Sequence, residues 1–188
     1  MLCKDENGEE CHKPIEEIEV GDMVLAYDEE TGEQEYKEVK QLFRNETRKW
    51  CTVSVVVNGM TSEITSTPGH KYYLPYSTIN REAGESQEHE SYYDLSEKWV
   101  SACKLKKGDK VLLSDGNYGI IKSVKVEELS APETTYNLEV EDFHTYYVGA
   151  GVCVHNRNCG QLSDNPLEDI QYTDKVKKDM LRGDDHGF

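Results

Sequence analysis

One spacing of apolar residues and glycines occurs twice in this chain of 188 residues. Residues 15–25 and residues 102–112 both follow the pattern apolar-x-x-apolar-x-x-Gly-Asp-x-Val-Leu. Each copy predicts a short helical turn, a Gly-Asp turn and a strand, and a polar turn and further strand-like residues follow each copy. Two copies of one β-unit predict an internal duplication with pseudo-twofold symmetry.

The other segments with strand character are short, rich in β-branched and aromatic residues, and separated by Gly, Asn and Pro turns. Short strands at regular spacing predict an all-β domain. Residues 76–94 are polar and lack periodicity, so we predict a surface loop there. The predicted strands are a short strand and its return within 1–12, and then 36–43, 50–57, 63–67, 71–74, 118–127 and 134–140.

The charge and the cysteines exclude several classes of function. The formal net charge is −16, which disfavours nucleic acid and anionic membranes as partners. We also expect the protein to be a monomer. The chain has no apolar run long enough to cross a membrane and does not start with a signal peptide. The cysteines form no CxxC pair, which argues against a zinc ribbon or a thioredoxin-like site, and we predict neither a metal site nor a cofactor. The alternative, metal binding through Cys153, His155 and Cys159, lacks an evident fourth ligand. They are either paired in disulfides or, as their residue type favours, buried free thiols. The six cysteines are at positions 3, 11, 51, 103, 153 and 159.

Residues 146–156 predict a β-hairpin, because two β-favouring runs flank a Gly-Ala-Gly turn. In its second arm Cys153 and His155 share one face, while Val152 and Val154 share the other and can be anchored in a core. The arm therefore ends in a dipeptide, His-Asn, whose orientation is fixed by the strand.

That dipeptide suits a self-cleavage reaction. The side-chain amide of Asn156 can attack its own backbone carbonyl and close a succinimide, which breaks the peptide bond to Arg157. Intramolecular attack profits from effective molarities of ~10⁵ M or more when the groups are aligned. His155 can hydrogen-bond the developing oxyanion or move a proton. The alternative is a strand that simply ends in two polar residues.

A second polar group lies upstream, where Thr67-Pro68-Gly69-His70 follows a predicted strand. The spacing predicts that the hydroxyl of Thr67 and the imidazole of His70 lie around one tight turn, where they can hold and protonate a peptide nitrogen. The alternative is a turn with a capping threonine and a surface histidine.

Together these segments resemble the hedgehog/intein (Hint) family, especially the intein-like Hint domains of bacterial secreted toxins. They occur in the family's order and cover nearly all of residues 1–156. The resemblance implies an all-β, compact, horseshoe-like fold with pseudo-twofold symmetry. The matching segments are 14–18 with Gly21-Asp22, 67–70, Leu105 with Gly108-Asp109, 137–144 and 154–156.

The resemblance also implies autoprocessing, in the form of single-turnover self-cleavage. By this likeness, Thr67 and His70 would orient and polarise an upstream scissile bond. His144 would help to coordinate the steps, and His155 would help Asn156 to cyclise.

The chain departs from the family pattern at three places. It lacks the opening Cys-x-x-x-Gly-Thr, so we expect it to begin just inside the domain, and Cys3 is the remaining candidate nucleophile. Asn137 stands where many relatives have Asp, and an amide is no general acid or base. Arg157 cannot accept an acyl group, which favours cleavage over splicing.

We therefore predict an autoprocessing domain at 1–156 that cleaves after Asn156 and releases a covalently attached C-terminal passenger. Residues 157–188 would be the start of a truncated passenger or toxin region, with a short helical tail at 174–182. We expect the chain to be secreted or exported as part of a larger bacterial protein. The alternative function is that of a catalytically inactive structural Hint module in a secreted toxin fragment.

Overall fold

The computed structural model describes residues 1–75 and 98–155, and these ranges form strands and two short 3₁₀ helices. The predicted loop at 76–94 and the predicted tail helix lie outside the described residues. The 3₁₀ helices are Ile15–Glu17 and Ala102–Lys104. The strands are β1 Leu2–Lys4, β2 Glu10–His12, β3 Met23–Tyr27, β4 Gln34–Val57, β5 Met60–Ser66, β6 Lys71–Tyr73, β7 Trp99–Ser101, β8 Lys110–Leu112, β9 Tyr118–Val140, β10 Thr145–Val148 and β11 Val152–His155.

Two antiparallel sheets contain these strands. The larger has seven strands in the order β2-β1-β3-β4-β9-β8, with β5 paired to β4. The smaller has four strands in the order β10-β11-β6-β7. The all-β fold class predicted from the short, regularly spaced strands is therefore confirmed.

The duplicated pattern has the same local structure in both copies. Gly21 and Gly108 have positive φ angles of 97° and 93°, a conformation that residues with a Cβ rarely adopt. The carboxylates of Asp22 and Asp109 each accept a hydrogen bond from the backbone N–H three residues earlier, at 2.9 Å and 2.7 Å. The repeated Gly-Asp turn is thus one structural unit used twice.

Both copies also dock on a long strand in the same way. The N–H of Gly21 donates to the carbonyl of Val39 in β4 at 2.9 Å, and the N–H of Gly108 donates to that of Ile121 in β9 at 2.8 Å. The apolar residues that precede the turns, Ile18 and Leu105, are both buried. The predicted internal duplication is confirmed in its hydrogen bonds as well as its spacing.

The long strands β4 and β9 differ from the sequence prediction, which divided each of them into two. They pair from Val39 opposite Val140 to Val56 opposite Ile120, with three register shifts. The polar middle of β4, residues 44–49, interrupted the apolar pattern but not the strand, because the facing strand supplies hydrogen-bond partners for its backbone. Apolar periodicity detects burial, whereas the side chains of residues 44–49 are mostly not buried.

Two apolar clusters lie against the four-stranded sheet, one on each side of β11. Val152 and Val154 belong to the larger cluster, which also contains residues of both sheets. Cys153 belongs to the smaller cluster, beside Tyr147 and Trp99. The predicted alternation of faces in this strand is confirmed, and burial on both faces holds the strand that leads to His155.

Candidate functional site

Three predicted site residues, His70, His144 and His155, lie at the same edge of the four-stranded sheet. His155 ends β11 and pairs with Thr145, the first residue of β10, so His144 directly precedes that pair. In the neighbouring pair Val154 lies opposite Tyr72 in β6, and His70 is the residue just before β6. Because β11 is antiparallel to both neighbours, its end meets their beginnings. We call this the histidine edge.

The turn from Thr67 to His70 forms as the spacing predicted. The N–H of His70 donates to the carbonyl of Thr67 at 3.1 Å, which closes a four-residue turn. The second copy of the repeat holds this turn in place. The N–H of Ala102 donates to the carbonyl of His70 at 2.8 Å, and that of Cys103 donates to the carbonyl of Pro68 at 3.1 Å.

The His70 side chain has an apolar, aromatic environment. Its ring lies 6.1 Å from that of Tyr72, edge to face, and 6.3 Å from that of Tyr146. Burial lowers the pKa of His70 to about 4. Burial also raises the pKa values of Tyr72 and Tyr146. All three side chains are therefore neutral near pH 7, so His70 acts there as a neutral hydrogen-bonding group.

His155 is buried, with 7% of its surface exposed, and packs edge to face against Trp99 with ring centroids 4.8 Å apart. The indole N–H of Trp99 donates to the carboxylate of Glu29 at 2.8 Å. Neither Trp99 nor Glu29 was recognised from the sequence. A buried tryptophan predicts a partner for its N–H, but nothing in the sequence shows that this partner lies 70 residues earlier.

His144 is exposed and has a φ angle of 54°, an uncommon value for a residue other than glycine. The next residue, Thr145, is anchored to β3. Its hydroxyl accepts from the N–H of Tyr27 at 2.7 Å and donates to the carbonyl of the same residue at 2.8 Å. Thr145 therefore fixes the backbone directly after His144, and this fixed residue lies opposite His155.

Asn137, in β9 of the larger sheet, serves as a hydrogen-bond acceptor for the smaller sheet. Its side-chain oxygen accepts from the hydroxyl of Tyr146 at 3.0 Å and from the N–H of Leu138 at 2.9 Å. Tyr146 also contacts His70 and pairs with Val154. The amide thus supports the sheet that carries the histidine edge.

The remaining predicted site residues lie elsewhere or are not described. Cys3 lies within β1, is buried, and donates from its thiol to the carbonyl of Cys11 at 3.3 Å. Asn156 and Arg157 lie outside the described residues. Within residues 1–75 and 98–155, no three His, Cys, Asp or Glu side chains are grouped so that they could hold a metal ion.

Comparisons with known proteins identify the family to which this fold belongs. Residues 76–157 match the family model described as the pretoxin HINT domain. The fold is similar to the solution structure of a bacterial intein-like domain from Clostridium thermocellum, with 31% sequence identity and a TM-score of 0.60. This similarity covers 82% of the chain and 94% of that domain. The chain belongs to the intein-like Hint family.

More distant inteins share the Hint fold at lower identity. A DnaB intein from Synechocystis sp. PCC 6803 has 17% identity and a TM-score of 0.57, over 83% of this chain and 94% of that one. The gp41-1 intein has 18% identity and a TM-score of 0.55, over 82% of this chain and 93% of that one. No curated protein matches the sequence. Neither 3₁₀ helix in the described part of the Hint domain has the length or apolarity to cross a membrane.

Proposed function

We propose that this Hint domain cleaves itself at the peptide bond between Asn156 and Arg157. The observation that carries the proposal is the position of His144 and His155 in the histidine edge, at the point at which β11 ends. The likeness to an intein-like domain supports the same chemistry. The chain would act once on itself and would not turn over a substrate.

The proposed reaction is cyclisation of Asn156. Its side-chain nitrogen attacks its own backbone carbonyl carbon and forms the new C–N bond of a succinimide. The C–N bond to Arg157 breaks, and a proton from the attacking amide leaves with the released α-amino group. The negative charge that develops on the carbonyl oxygen needs a hydrogen-bond donor, and a proton must be moved between the two nitrogens.

His155 is the residue best placed to assist this step, because it is adjacent in sequence and its ring is packed against Trp99. A packed imidazole loses little freedom on reaching the transition state. His144 lies beside the first residue pair of β10 and β11 and would assist proton movement. In this proposal Thr67 and His70 orient and polarise an upstream peptide bond, so Thr67→Val is expected to leave cleavage after Asn156 unchanged.

Cleavage is the expected outcome because the residue after Asn156 is Arg157. Splicing requires a hydroxyl or thiol at that position to accept an acyl group, and a guanidinium cannot do so. The released piece would be a C-terminal passenger that starts at Arg157. In a pretoxin protein that passenger would be part of a toxin, carried on a chain that is secreted or exported.

Time-resolved mass spectrometry of the intact, purified chain tests the proposal. We expect the full-length mass to decline and two products to appear, one ending in a succinimide or its hydrolysis product and one beginning at Arg157. Asn156→Ala should stop the reaction. Asn158→Ala is the matched control, because it removes an asparagine two residues away and should leave cleavage intact.

A chain that is folded by circular dichroism yet keeps a single mass across the pH range would refute self-cleavage. That outcome would favour the alternative, a catalytically inactive structural Hint module. Cleavage that persists in the Asn156→Ala variant would refute cyclisation at this residue and would point to another scissile bond.

A further inference from the structure

We propose that Cys3 and Cys11 form a disulfide, a modification site in the first hairpin of the domain. The two residues lie directly opposite each other where β1 pairs with β2. Directly opposed residues of antiparallel strands point to the same face of the sheet. Both side chains contact the larger apolar cluster, Cys3 as a buried member and Cys11 as a partly buried neighbour.

The hydrogen-bond pattern of the hairpin gives the distance between them. Met1 and Lys13 exchange two backbone hydrogen bonds, at 2.6 Å from the amino group of Met1 and 3.0 Å from the N–H of Lys13. Hydrogen-bonded pairs recur at every second position, so Cys3 and Cys11 form such a pair. Their Cα atoms are therefore about 5.5 Å apart, near the commonest separation for disulfides.

The thiol of Cys3 already points toward the strand that carries Cys11. The thiol of Cys3 donates to the carbonyl oxygen of Cys11 at 3.3 Å, so its sulfur lies at the backbone of its pairing partner. Both cysteines belong to one hairpin, so a bond between their sulfurs forms within that hairpin. No movement of one sheet against the other is needed.

The other described cysteines have no cysteine opposite them in the sheets. Cys51 in β4 lies opposite Ser66 and Val126, and Cys153 in β11 lies opposite Tyr147. Both are fully buried, and burial raises the pKa of Cys51 to about 11. Cys103 is exposed and serves below as a control.

The modification is a thiol–disulfide exchange with a small-molecule disulfide such as oxidised glutathione. The thiolate of Cys11, the more accessible of the pair, attacks one sulfur of the reagent and releases one thiolate. The thiolate of Cys3 then attacks the sulfur of Cys11 and releases the second. The two cysteines lose two protons and two electrons in total, and the reagent takes them up to give two thiols.

The link would fasten the outermost strand of the large sheet. β2 is an edge strand, and its neighbour β1 continues into the sheet by pairing Cys3 with Val24. A bond between the two strands ties that edge to the core, and it forms under the oxidising conditions outside cells. It also gives Cys3 a structural role, distinct from that of a nucleophile.

Oxidation of the folded chain tests the proposal in the Asn156→Ala background. The protein is treated with oxidised glutathione, its remaining thiols are alkylated after unfolding, and it is digested with trypsin, which cuts after Lys4 between the two cysteines. We expect the monomer to lose two hydrogens and the peptides that contain Cys3 and Cys11 to be joined. Reduction with dithiothreitol should separate them.

Two variants complete the experiment. Cys11→Ser should abolish the link while leaving Cys3 alkylated, and this partly exposed position tolerates a hydroxyl better than the buried one. Cys103→Ser should leave the link unchanged. The proposal is overturned if both cysteines remain alkylated in the folded, oxidised chain, if glutathione stays attached to Cys11, or if another pair accounts for the lost hydrogens.

Discussion

The low pKa of His70 predicts that this residue makes the domain sensitive to acid. The perturbation that tests this is His70→Gln, which keeps a hydrogen-bonding side chain and removes the titration. The ordinary imidazole pKa is about 6.5, whereas burial lowers that of His70 to about 4. Between these values the unfolded chain binds a proton that the folded chain does not bind.

The direction and the size of the pH effect on stability follow from this difference in pKa. Stability falls as the pH falls from about 6.5 and levels off below about 4, because the unfolded state alone gains the proton in that window. At pH 5 the free energy of unfolding should be at most about 2 kcal/mol lower than at pH 7 for this reason. The nearest ring partners, Tyr72 and Tyr146, stay neutral throughout the window and contribute nothing to the slope.

Urea unfolding at about pH 7 and about pH 5 measures the effect, in an Asn156→Ala background so that cleavage does not interfere. His70→Gln should lose most of the pH dependence that is due to this site. Carboxylates such as Asp28, whose pKa is lowered by hydrogen bonds, respond equally in both proteins and cancel in the comparison. His144→Gln is the matched control, since His144 is exposed. The reasoning would be refuted if the free energy of unfolding changed with pH equally in the wild type and in His70→Gln.

Three further substitutions have expected outcomes. Trp99→Leu should slow self-cleavage by roughly two- to tenfold, because an edge-to-face contact with His155 is worth about 0.5–1.5 kcal/mol. Trp99→Phe should keep most of the rate. Equal rates for Trp99→Leu and the wild type in a mass-spectrometric time course would contradict this. Gly151→Ala should destabilise the domain by about 1–3 kcal/mol in urea unfolding, because the φ of 84° at this position is strained for alanine. An unchanged unfolding midpoint would contradict this. Asn137→Ala should lower the free energy of unfolding by about 1–3 kcal/mol, because the buried hydroxyl of Tyr146 loses its acceptor. Adding Tyr146→Phe to this variant should then destabilise it little further. Full additivity of the two substitutions would argue against the hydrogen bond between these residues.

The sequence was sufficient for features whose parts lie close together along the chain. The Gly-Asp turns at Gly21 and Gly108 were predicted because only a few residues decide each turn. The hairpin that ends at His155 was predicted from two β-favouring runs around a glycine turn, and the structure has it as β10 and β11. Local chemistry decides local structure in these cases.

Features that depend on distant pairing were not predictable in the same way. The chain contains all three histidines of the histidine edge, but only the register of β6 and β10 on β11 brings their positions together. The contact between Trp99 and Glu29 has the same origin. The continuity of β4 and β9 was missed because polar residues in a strand are held by the facing backbone, which a pattern of apolar residues does not reveal.

The order of strands in the small sheet has a consequence for the timing of biosynthesis. The sheet takes β6 from the middle of the chain and β10 and β11 from residues 145–155, so the histidine edge cannot exist in a partial polypeptide that stops before His155. At about 5–20 residues per second, roughly 4–16 s separate the synthesis of Tyr73 from that of His155. During that interval a nascent chain carries His70 without the strand that completes the site. The proposed self-cleavage would therefore have to wait until translation has passed His155.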